Sequence, residues 1–321
     1  MNGMTLLEQY IAERRALGFR FQTNEKYLRR FMKDYPESPD GKIIFTKEYV
    51  LSHIENGLNR HANTVHRYAG AINGFMDFVI RQGIQAYKIP HKYLPQEVRN
   101  FEAYIFSKEE ILRILDAADH LPPYEQNPAR HIQVPVMFRI LFNCGLRTSE
   151  LRCLRLKDVD IQNQVLTVLD TKFHKNRLVP MAATMTRRLE RYIESLPDQA
   201  ETALLFPSPR YQNATHEYGN SWIHTQFREL LRLADIPYRG LGKGPRPHDI
   251  RHTFAVHCLN RWVLSGEDLT AALPILSRYL GHTGLKGTQK YLQLTAQMYP
   301  DLVARMESQF GHLISCEEEK I

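Results

Sequence analysis

A stretch that suits neither a helix nor a strand divides this chain in two. Residues 84–105 contain Pro90 and Pro95, and each proline fixes a backbone angle and removes a hydrogen-bond donor. A Ser-x-x-Glu capping box at 107–110 then opens a new helix. A surface loop could have the same composition, but the fresh helix start favours a linker between domains. We therefore predict a domain of residues 1–100, a linker of about 84–106 and a domain of residues 107–321.

The first part of the chain is predicted to be helical. Apolar residues recur at i, i+3 and i+4 in four segments, the pattern of amphipathic helices. The first helix is predicted to begin at Thr5 as its cap, to bury Leu17 and to end at Gly18. The predicted helices cover about residues 5–17, 24–35, 46–56 and 62–82.

The second part is predicted to mix helices with one β-hairpin. Two β-like runs, 165–169 and 177–180, flank a polar turn. Thr148 or Ser149 is expected to cap a short helix, and Pro274 to lie either inside a helix or in its first turn. Further helices are predicted near 134–144, 183–195, 219–234, 249–261, 268–280 and 300–312. The fold class is therefore mainly α with a small β-sheet (α+β).

Composition narrows the classes of partner. The 321 residues carry a net charge of +7 and a pI of about 9.1, which favours polyanions. No run approaches the ~20 apolar residues of a membrane helix. The N-terminus lacks the pattern of a signal peptide. The four cysteines show no metal-binding spacing, so we predict buried thiols in a reducing compartment.

Three short motifs place positive groups and hydrogen-bond donors around one candidate nucleophile. They are Gly-Leu-Arg-Thr-Ser-Glu-Leu at 145–151, His-Asp-Ile-Arg-His at 248–252, and Leu-Gly-His at 280–282 with a tyrosine nine residues later. Each motif alone is a weak signal, because arginines and histidines usually have structural or surface roles. The ordered set is typical of phosphoryl transfer, in which charge grows on the phosphate. Its members are Arg147, Lys172, His248, Arg251, His282 and Tyr291.

These motifs, with Arg-Leu-Val-Pro at 177–180, resemble the tyrosine recombinases and phage-type integrases of the simple two-domain kind. The resemblance covers nearly the whole chain. It implies a helical core-binding domain, a catalytic domain and a C-terminal helix that docks on a neighbouring subunit. It also implies a double-stranded DNA recombination site as partner, a tetramer on two sites, and no metal or cofactor. The expected location is the bacterial cytoplasm, in association with the nucleoid.

The resemblance also implies a role for each motif residue. Tyr291 would be the nucleophile, and Arg147 and Arg251 would clamp the phosphate with planar guanidinium forks. His248 and His282 would orient or deprotonate the tyrosine and bond a phosphate oxygen, with the base left open. Lys172 would be the general acid, with Lys175 as its rival. Glu150 and Asp249 would support the site structurally.

DNA contacts are predicted in the first part and the linker. Arg and Asn side chains on the fourth helix would read base edges, and linker lysines would contact phosphates, although each could equally be an ordinary solvated residue. The predicted residues are Arg60, Asn63, Thr64, Arg67, Lys88 and Lys92.

The expected activity is site-specific recombination through a 3′-phosphotyrosine, for integration, excision or transposition of a mobile element. Two alternatives remain open. A type IB topoisomerase-like enzyme would use the same residues as a monomer and relax supercoils. A DNA-binding accessory protein would carry the motifs without cleaving. The target sequence, the host, the biological outcome and any accessory proteins are not determined by the sequence.

Overall fold

The computed structural model confirms a mainly helical protein with one small antiparallel sheet. The chain divides into two units, residues 1–101 and 102–321. The structure describes residues 2–19, 21–36, 42–55, 61–96, 103–169, 176–197, 199–209, 216–238, 240, 244–282, 284 and 286–298.

The first unit is built from four helices around an aromatic core. The helices are α1 (Gly3–Ala16), α2 (Gln22–Met32), α3 (Lys47–Glu55) and α4 (Ala62–Arg81). Two details of the prediction are wrong. Asn2, not Thr5, caps α1, because its side chain accepts from the Thr5 backbone N–H at 2.8 Å. Leu17 is 62% exposed, because it lies one residue past the last turn of α1.

The beginning of the predicted linker is part of the first unit. The Asn73 side chain exchanges two hydrogen bonds with the backbone of Ile89, at 2.8 and 3.0 Å, and Ile89 is buried. Phe45 and Ala86 form a parallel β-bridge. The prolines prevent a regular element, but side-chain hydrogen bonds and one apolar anchor still hold residues 84–96 in place. Residues 97–102 lie outside the described part of the chain.

The second unit contains the sheet and the remaining described helices. Strands β1 (Val159–Asp160), β2 (Val165–Val168) and β3 (Arg177–Pro180) pair antiparallel in that order. The predicted capping box opens the first helix of this unit. The helices are α5 (Lys108–Asp119), α6 (Arg130–Cys144), α7 (Thr148–Cys153), α8 (Ala183–Glu194), α9 (Asn220–Leu233), α10 (Pro247–Ser265), α11 (Leu269–Leu280) and α12 (Lys286–Met298).

One local prediction in this unit is wrong, and the structure decides between two alternatives for Pro274. Neither Thr148 nor Ser149 caps α7; Arg147 occupies the N-cap, and the Glu150 carboxylate accepts from its backbone N–H at 2.8 Å. Pro274 lies inside α11 and not in its first turn. The predicted helix at 300–312 lies outside the described residues.

None of the helices that the structure describes is both long enough and apolar enough to span a bilayer.

Candidate active site

The site is assembled around the C-terminal end of α11. A helix end leaves its last carbonyls without intrahelical donors, and these oxygens carry partial negative charge. Here the carbonyls of residues 279, 280 and 281 accept in turn from Arg177 Nε at 2.8 Å, from Arg251 Nη2 and from Arg147 Nη2 at 3.1 Å. Three guanidinium groups that are distant in sequence are therefore brought to one helix end.

Arg147 is positioned by the sharp turn between α6 and α7. Gly145 ends α6 in the left-handed conformation, with φ 59°, and the ring of Phe254 lies so close that a Cβ there would meet it at 2.5 Å. Arg147 Nη1 then donates to the Glu150 carboxylate at 2.6 Å. The Arg147 side chain stays one-third exposed to solvent.

Glu150 is the buried anion of the site. Burial by itself raises its pKa, but hydrogen bonds from Arg177, and then the charges of Arg177 and Arg147, lower that pKa to about 2. Arg177 donates to both carboxylate oxygens, at 2.9 and 2.8 Å, and Arg251 Nη1 lies 3.9 Å away. Glu150 is therefore ionised at neutral pH and holds arginines rather than accepting a proton.

Arg251 lies deepest in the site, at 1% exposure on α10. Its Nη1 donates to the Gly145 carbonyl at 2.9 Å, and its Nη2 donates to the Leu280 carbonyl. Burial, and then the adjacent charge of Arg147, lowers its pKa to about 10, so the group remains a cation at neutral pH. Because its surroundings fix it, this cation needs little reorganisation to meet an anion.

His248 lies on the first turn of α10, three residues before Arg251. His248 is exposed to solvent. Desolvation by the surrounding protein, and then the charges of Arg251 and Arg147, lower its pKa to about 4. Asp249 is buried beside it and caps the helix, accepting from the Arg246 backbone N–H at 2.9 Å. Asp249 therefore anchors the turn that presents His248.

His282 follows the left-handed Gly281 that ends α11. Its Nδ1 lies 2.9 Å from the hydroxyl of buried Thr288. Burial, and then the charges of Arg251 and Arg147, lower its pKa to about 4, so the ring is neutral at pH 7. The Thr288 hydroxyl can donate to Nδ1 or accept from it, and in either case the contact fixes the orientation of the ring.

Tyr291 lies on α12 and is 3% exposed. Its ring stacks near that of His282 at 5.9 Å, and the ring of His252 lies 5.4 Å away. Burial raises the pKa of Tyr291, while the positive charge of Arg251 acts in the opposite direction. The phenol therefore keeps its proton at neutral pH in these surroundings.

The structure thus brings together Arg147, His248, Arg251, His282 and Tyr291. They come from α7, α10, α11 and α12 of one unit, and spatial proximity could not be read from the sequence. Lys172 and its rival Lys175 lie outside the described residues, between β2 and β3.

The predicted DNA contacts divide between described and undescribed residues. Asn63, Thr64 and Arg67 lie on the first two turns of α4, with Arg67 exposed and its Nε donating to the Asn63 carbonyl at 3.3 Å. Lys88 forms an ion pair of 2.7 Å with Asp77, and the exposed Lys92 lies 5.3 Å from the Tyr93 ring centroid. Arg60 lies outside the described residues.

Sequence reasoning missed two contributors, Arg177 and Thr288. Arg177 begins β3, whose alternation buries Val179 and leaves Leu178 66% exposed. A period of two places Arg177 on the inward face with Val179, so a buried charge at the site could have been read from that strand. Thr288 gave no sequence signal, because its importance comes only from its distance to His282.

Among the described residues, no cluster of three or more His, Cys, Asp or Glu side chains is arranged to hold a metal ion.

Residues 105–298 match the sequence model of the phage integrase family. The chain belongs to this family. One relative of this chain is a Sinorhizobium fredii protein named as an integrase/recombinase (y4rB). It is 32% identical, with 94% of this chain and 96% of that protein covered. The tyrosine recombinase XerD of Pseudomonas aeruginosa is 28% identical, with 81% of each chain covered. The resemblance seen in the motifs is thereby confirmed.

Solved structures share the fold of this integrase-family chain. A lambda integrase fragment, solved as a dimer bound to a COC′ core site, has a TM-score of 0.59 and 15% identity, with 89% of this chain and 96% of that one covered. A Tn1549 transposon integrase fragment in complex with circular intermediate DNA has a TM-score of 0.59 and 19% identity, with 89% and 94% covered. The family match and the tyrosine recombinase relatives identify the chain as an enzyme that transfers DNA strands in site-specific recombination.

Proposed function

We propose that this recombinase cleaves DNA with Tyr291 and stores the broken bond as a 3′-phosphotyrosine. The phenolic oxygen attacks the scissile phosphorus, the bond to the 5′ oxygen breaks, and the leaving oxygen takes up a proton. Attack by a 5′ hydroxyl of another strand then reverses the step and releases the tyrosine. The bond energy is conserved, so the cycle needs no external energy source.

The observation that carries this proposal is the burial of Tyr291 beside the rings of His282 and His252, at 5.9 and 5.4 Å, within range of the positive charge of the buried Arg251. It places a nucleophile beside a fixed cation within one unit. A phosphate bound by Arg251 would lie within reach of the phenolic oxygen. The negative charge that grows on the phosphate during the attack would be compensated by the arginine cation.

The remaining residues are assigned by their chemistry. Arg147 is partly exposed and would bind a second phosphate oxygen, while Glu150 accepts from its Nη1. His282 would present Nε2 to a phosphate oxygen, because Thr288 occupies Nδ1. His248 is neutral and can accept the phenolic proton. Lys172 is proposed as the general acid, on the resemblance alone.

We propose double-stranded DNA containing a recombination site as the substrate. Relatives named integrase/recombinase, and the integrase structures bound to DNA, support this choice. Asn63, Thr64, Arg67, Lys88 and Lys92, together with Arg60, are proposed to contact it. Four protomers on two sites would exchange strands to integrate, excise or transpose a mobile element.

A nicked suicide substrate tests the chemistry. The substrate is a site taken from the ends of the protein's own element, with a nick near the cleavage position. Cleavage releases the short fragment that carries the 5′ hydroxyl, and its diffusion away from the site traps the covalent complex. Wild-type protein should form an adduct that resists denaturation, and the tryptic peptide containing residue 291 should carry the added nucleotide mass. Tyr291→Phe should form none while binding the same DNA. Tyr192→Phe, which removes another buried phenol of this unit, is the matched control and should still form adduct.

The outcomes separate the alternatives. Adducts confined to cognate sites support recombination. Adducts at arbitrary sequences, formed by a monomer that relaxes supercoils, would favour the topoisomerase-like enzyme. Tight binding of the cognate site without any wild-type adduct would contradict the proposal and favour an accessory protein.

A further inference from the structure

Arg177 connects three elements of the site. From the start of β3, its Nη1 and Nη2 donate to both carboxylate oxygens of Glu150, and its Nε donates to the Tyr279 carbonyl. The two charged side chains are 8% and 7% exposed, so the pair is almost fully buried. One guanidinium thus joins β3 to the start of α7 and to the end of α11.

The same guanidinium packs against the turn that leads to His282. Gly281 has φ 68°, and a Cβ added there would lie 2.9 Å from Arg177 Nη1 and 3.2 Å from its Cζ. Only a residue without a side chain therefore lets Arg177 approach this turn. The position of His282 therefore depends on the position of Arg177, because Arg177 packs against the turn that precedes His282.

Charge balance gives Arg177 a second effect. Glu150 Oε1 accepts from both Arg147 and Arg177, and Oε2 accepts from Arg177 with Arg251 3.9 Å away. Without Arg177, the carboxylate would be compensated only by the two arginines assigned to the phosphate. It would draw their donors inward, and burial would raise its pKa with less opposition.

We propose that Arg177 is a positioning residue for strand cleavage. It compensates Glu150 and fixes the end of α11, which leaves donors of Arg147 and Arg251 directed at the scissile phosphate. Its own fork is occupied by Glu150, so it acts through these groups and does not contact the phosphate. This inference rests on the proposed function and adds a residue to the machinery of that site.

Single-turnover cleavage of the nicked substrate at saturating DNA provides the test. Arg177→Gln should lower the cleavage rate at least about tenfold while the DNA Kd changes less than about threefold, because the defect is in orientation. Arg177→Lys retains the charge without the fork and should recover part of the rate. Arg139→Gln is the matched control, since Arg139 forms a comparable two-pronged pair with Asp119 that involves no site residue.

A pH profile distinguishes positioning from a general loss of stability. In the wild type, Glu150 stays ionised because its pKa is about 2. In Arg177→Gln its pKa should rise, so cleavage should decline between about pH 7 and 5 more than it does in wild type. Glu150→Gln combined with Arg177→Gln should be no slower than the slower single variant, because both act through one pair.

Three results would overturn this role for Arg177. The first is a cleavage rate for Arg177→Gln within about twofold of that for Arg139→Gln at equal loss of Tm. The second is a pH profile of cleavage for Arg177→Gln that is parallel to that of wild type. The third is additive effects on the rate in the Glu150→Gln, Arg177→Gln double variant. Arg177→Lys keeps the test valid if the Gln variant fails to fold. A wild type that forms no adduct would instead refute the proposed function itself.

Discussion

Burying several arginines together costs desolvation free energy, and the contacts of Glu150 show how this cost is offset. Each guanidinium has a carbonyl or carboxylate acceptor in the described structure, so desolvation is compensated by hydrogen bonds. These acceptors satisfy some donors of Arg147 and Arg251 and leave others for an incoming phosphate. A site of this kind is preorganised before the substrate binds.

Replacing Arg251 should separate binding from chemistry. Arg251→Ala removes one cation, which we expect to change the DNA Kd by at most about tenfold, or ~1.4 kcal/mol. Cleavage should fall about 10²–10³-fold or more, because a fixed donor to the developing charge is lost. Gel-shift affinity and suicide-substrate rates on the same preparation measure both effects.

Parallel losses of affinity and cleavage rate would contradict that role and make Arg251 a simple affinity contact. Arg251→Lys is the companion variant, because it keeps a charge in the buried position while losing the two-carbonyl fork. Its cleavage rate should lie between those of wild type and Arg251→Ala.

His252 should make stability depend on pH. Burial, and then nearby positive groups, lower its pKa from 6.5 to about 3. The unfolded chain therefore binds more protons between those values, and the free energy of unfolding falls as pH drops from about 6.5 towards 3. The contribution of neutral His252 to the free energy of unfolding is fully present above about pH 6.5. At pH 5, about 1–2 kcal/mol of it should be lost.

Thermal unfolding at pH 5 and pH 7 measures this effect. His252→Gln should show a smaller difference in stability between the two pH values than wild type, whatever its absolute Tm. An equal difference in both proteins would mean that His252 is protonated alike in the folded and unfolded chains.

Among the elements, the ends of α10 and α11 offer a matched pair of glycines. Gly266 and Gly281 both end their helices in the left-handed conformation, with φ 76° and 68°. An added Cβ would meet nothing within 4 Å at Gly266, but would lie 2.9 Å from Arg177 at Gly281. Backbone strain is therefore common to both positions, and the steric conflict is specific to one.

Alanine at these positions should separate strain from packing. Gly266→Ala should cost about 1 kcal/mol from backbone strain alone. Gly281→Ala should lower the free energy of unfolding by about 1–3 kcal/mol more, because the Arg177 guanidinium must move. Gly281→Ala should also slow cleavage, whereas Gly266→Ala should not. Denaturant unfolding and cleavage rates test both; equal costs with equal rates would show that Arg177 accommodates the methyl group freely.

At the level of the whole molecule, each unit has a core of its own. The first unit buries residues such as Leu6, Phe31 and Phe75, and the second buries Phe106, Phe138 and Phe227. We expect fragments 1–101 and 102–321 to fold separately, because their cores share no residue.

Circular dichroism and cooperative denaturation of the separate fragments check this expectation. The first fragment should also bind DNA weakly, with an affinity that falls as salt rises. A fragment that stays unfolded at all temperatures would show that the two cores depend on each other.

The sequence alone determined the features that rest on local chemistry. The helices of the first unit, the hairpin strands and the capping box at Ser107 follow from periodicity and capping, which act between neighbouring residues. Family membership was also readable, because a set of reactive residues in fixed order is a property of the chain itself.

Errors arose where a competing local contact won. Asn2 replaced Thr5 as the cap of α1, because its side chain accepts from the Thr5 backbone N–H. Arg147 took the N-cap of α7 in place of Thr148 or Ser149, because the Glu150 carboxylate accepts from its backbone N–H. Residues 84–96 have the composition of a linker, yet Ile89 and Asn73 bind them to the first unit. Composition reports what a segment cannot form, not what it will contact.

Only the tertiary structure decided which charges meet. Arg147, Arg177 and Arg251 reach three successive carbonyls because α7, β3 and α10 pack around the end of α11, and no spacing in the sequence encodes that convergence. The depressed pKa values of the histidines have the same origin, since burial and neighbouring cations exist only in the fold. Residue types set the chemistry that is available, and packing selects which of it is used.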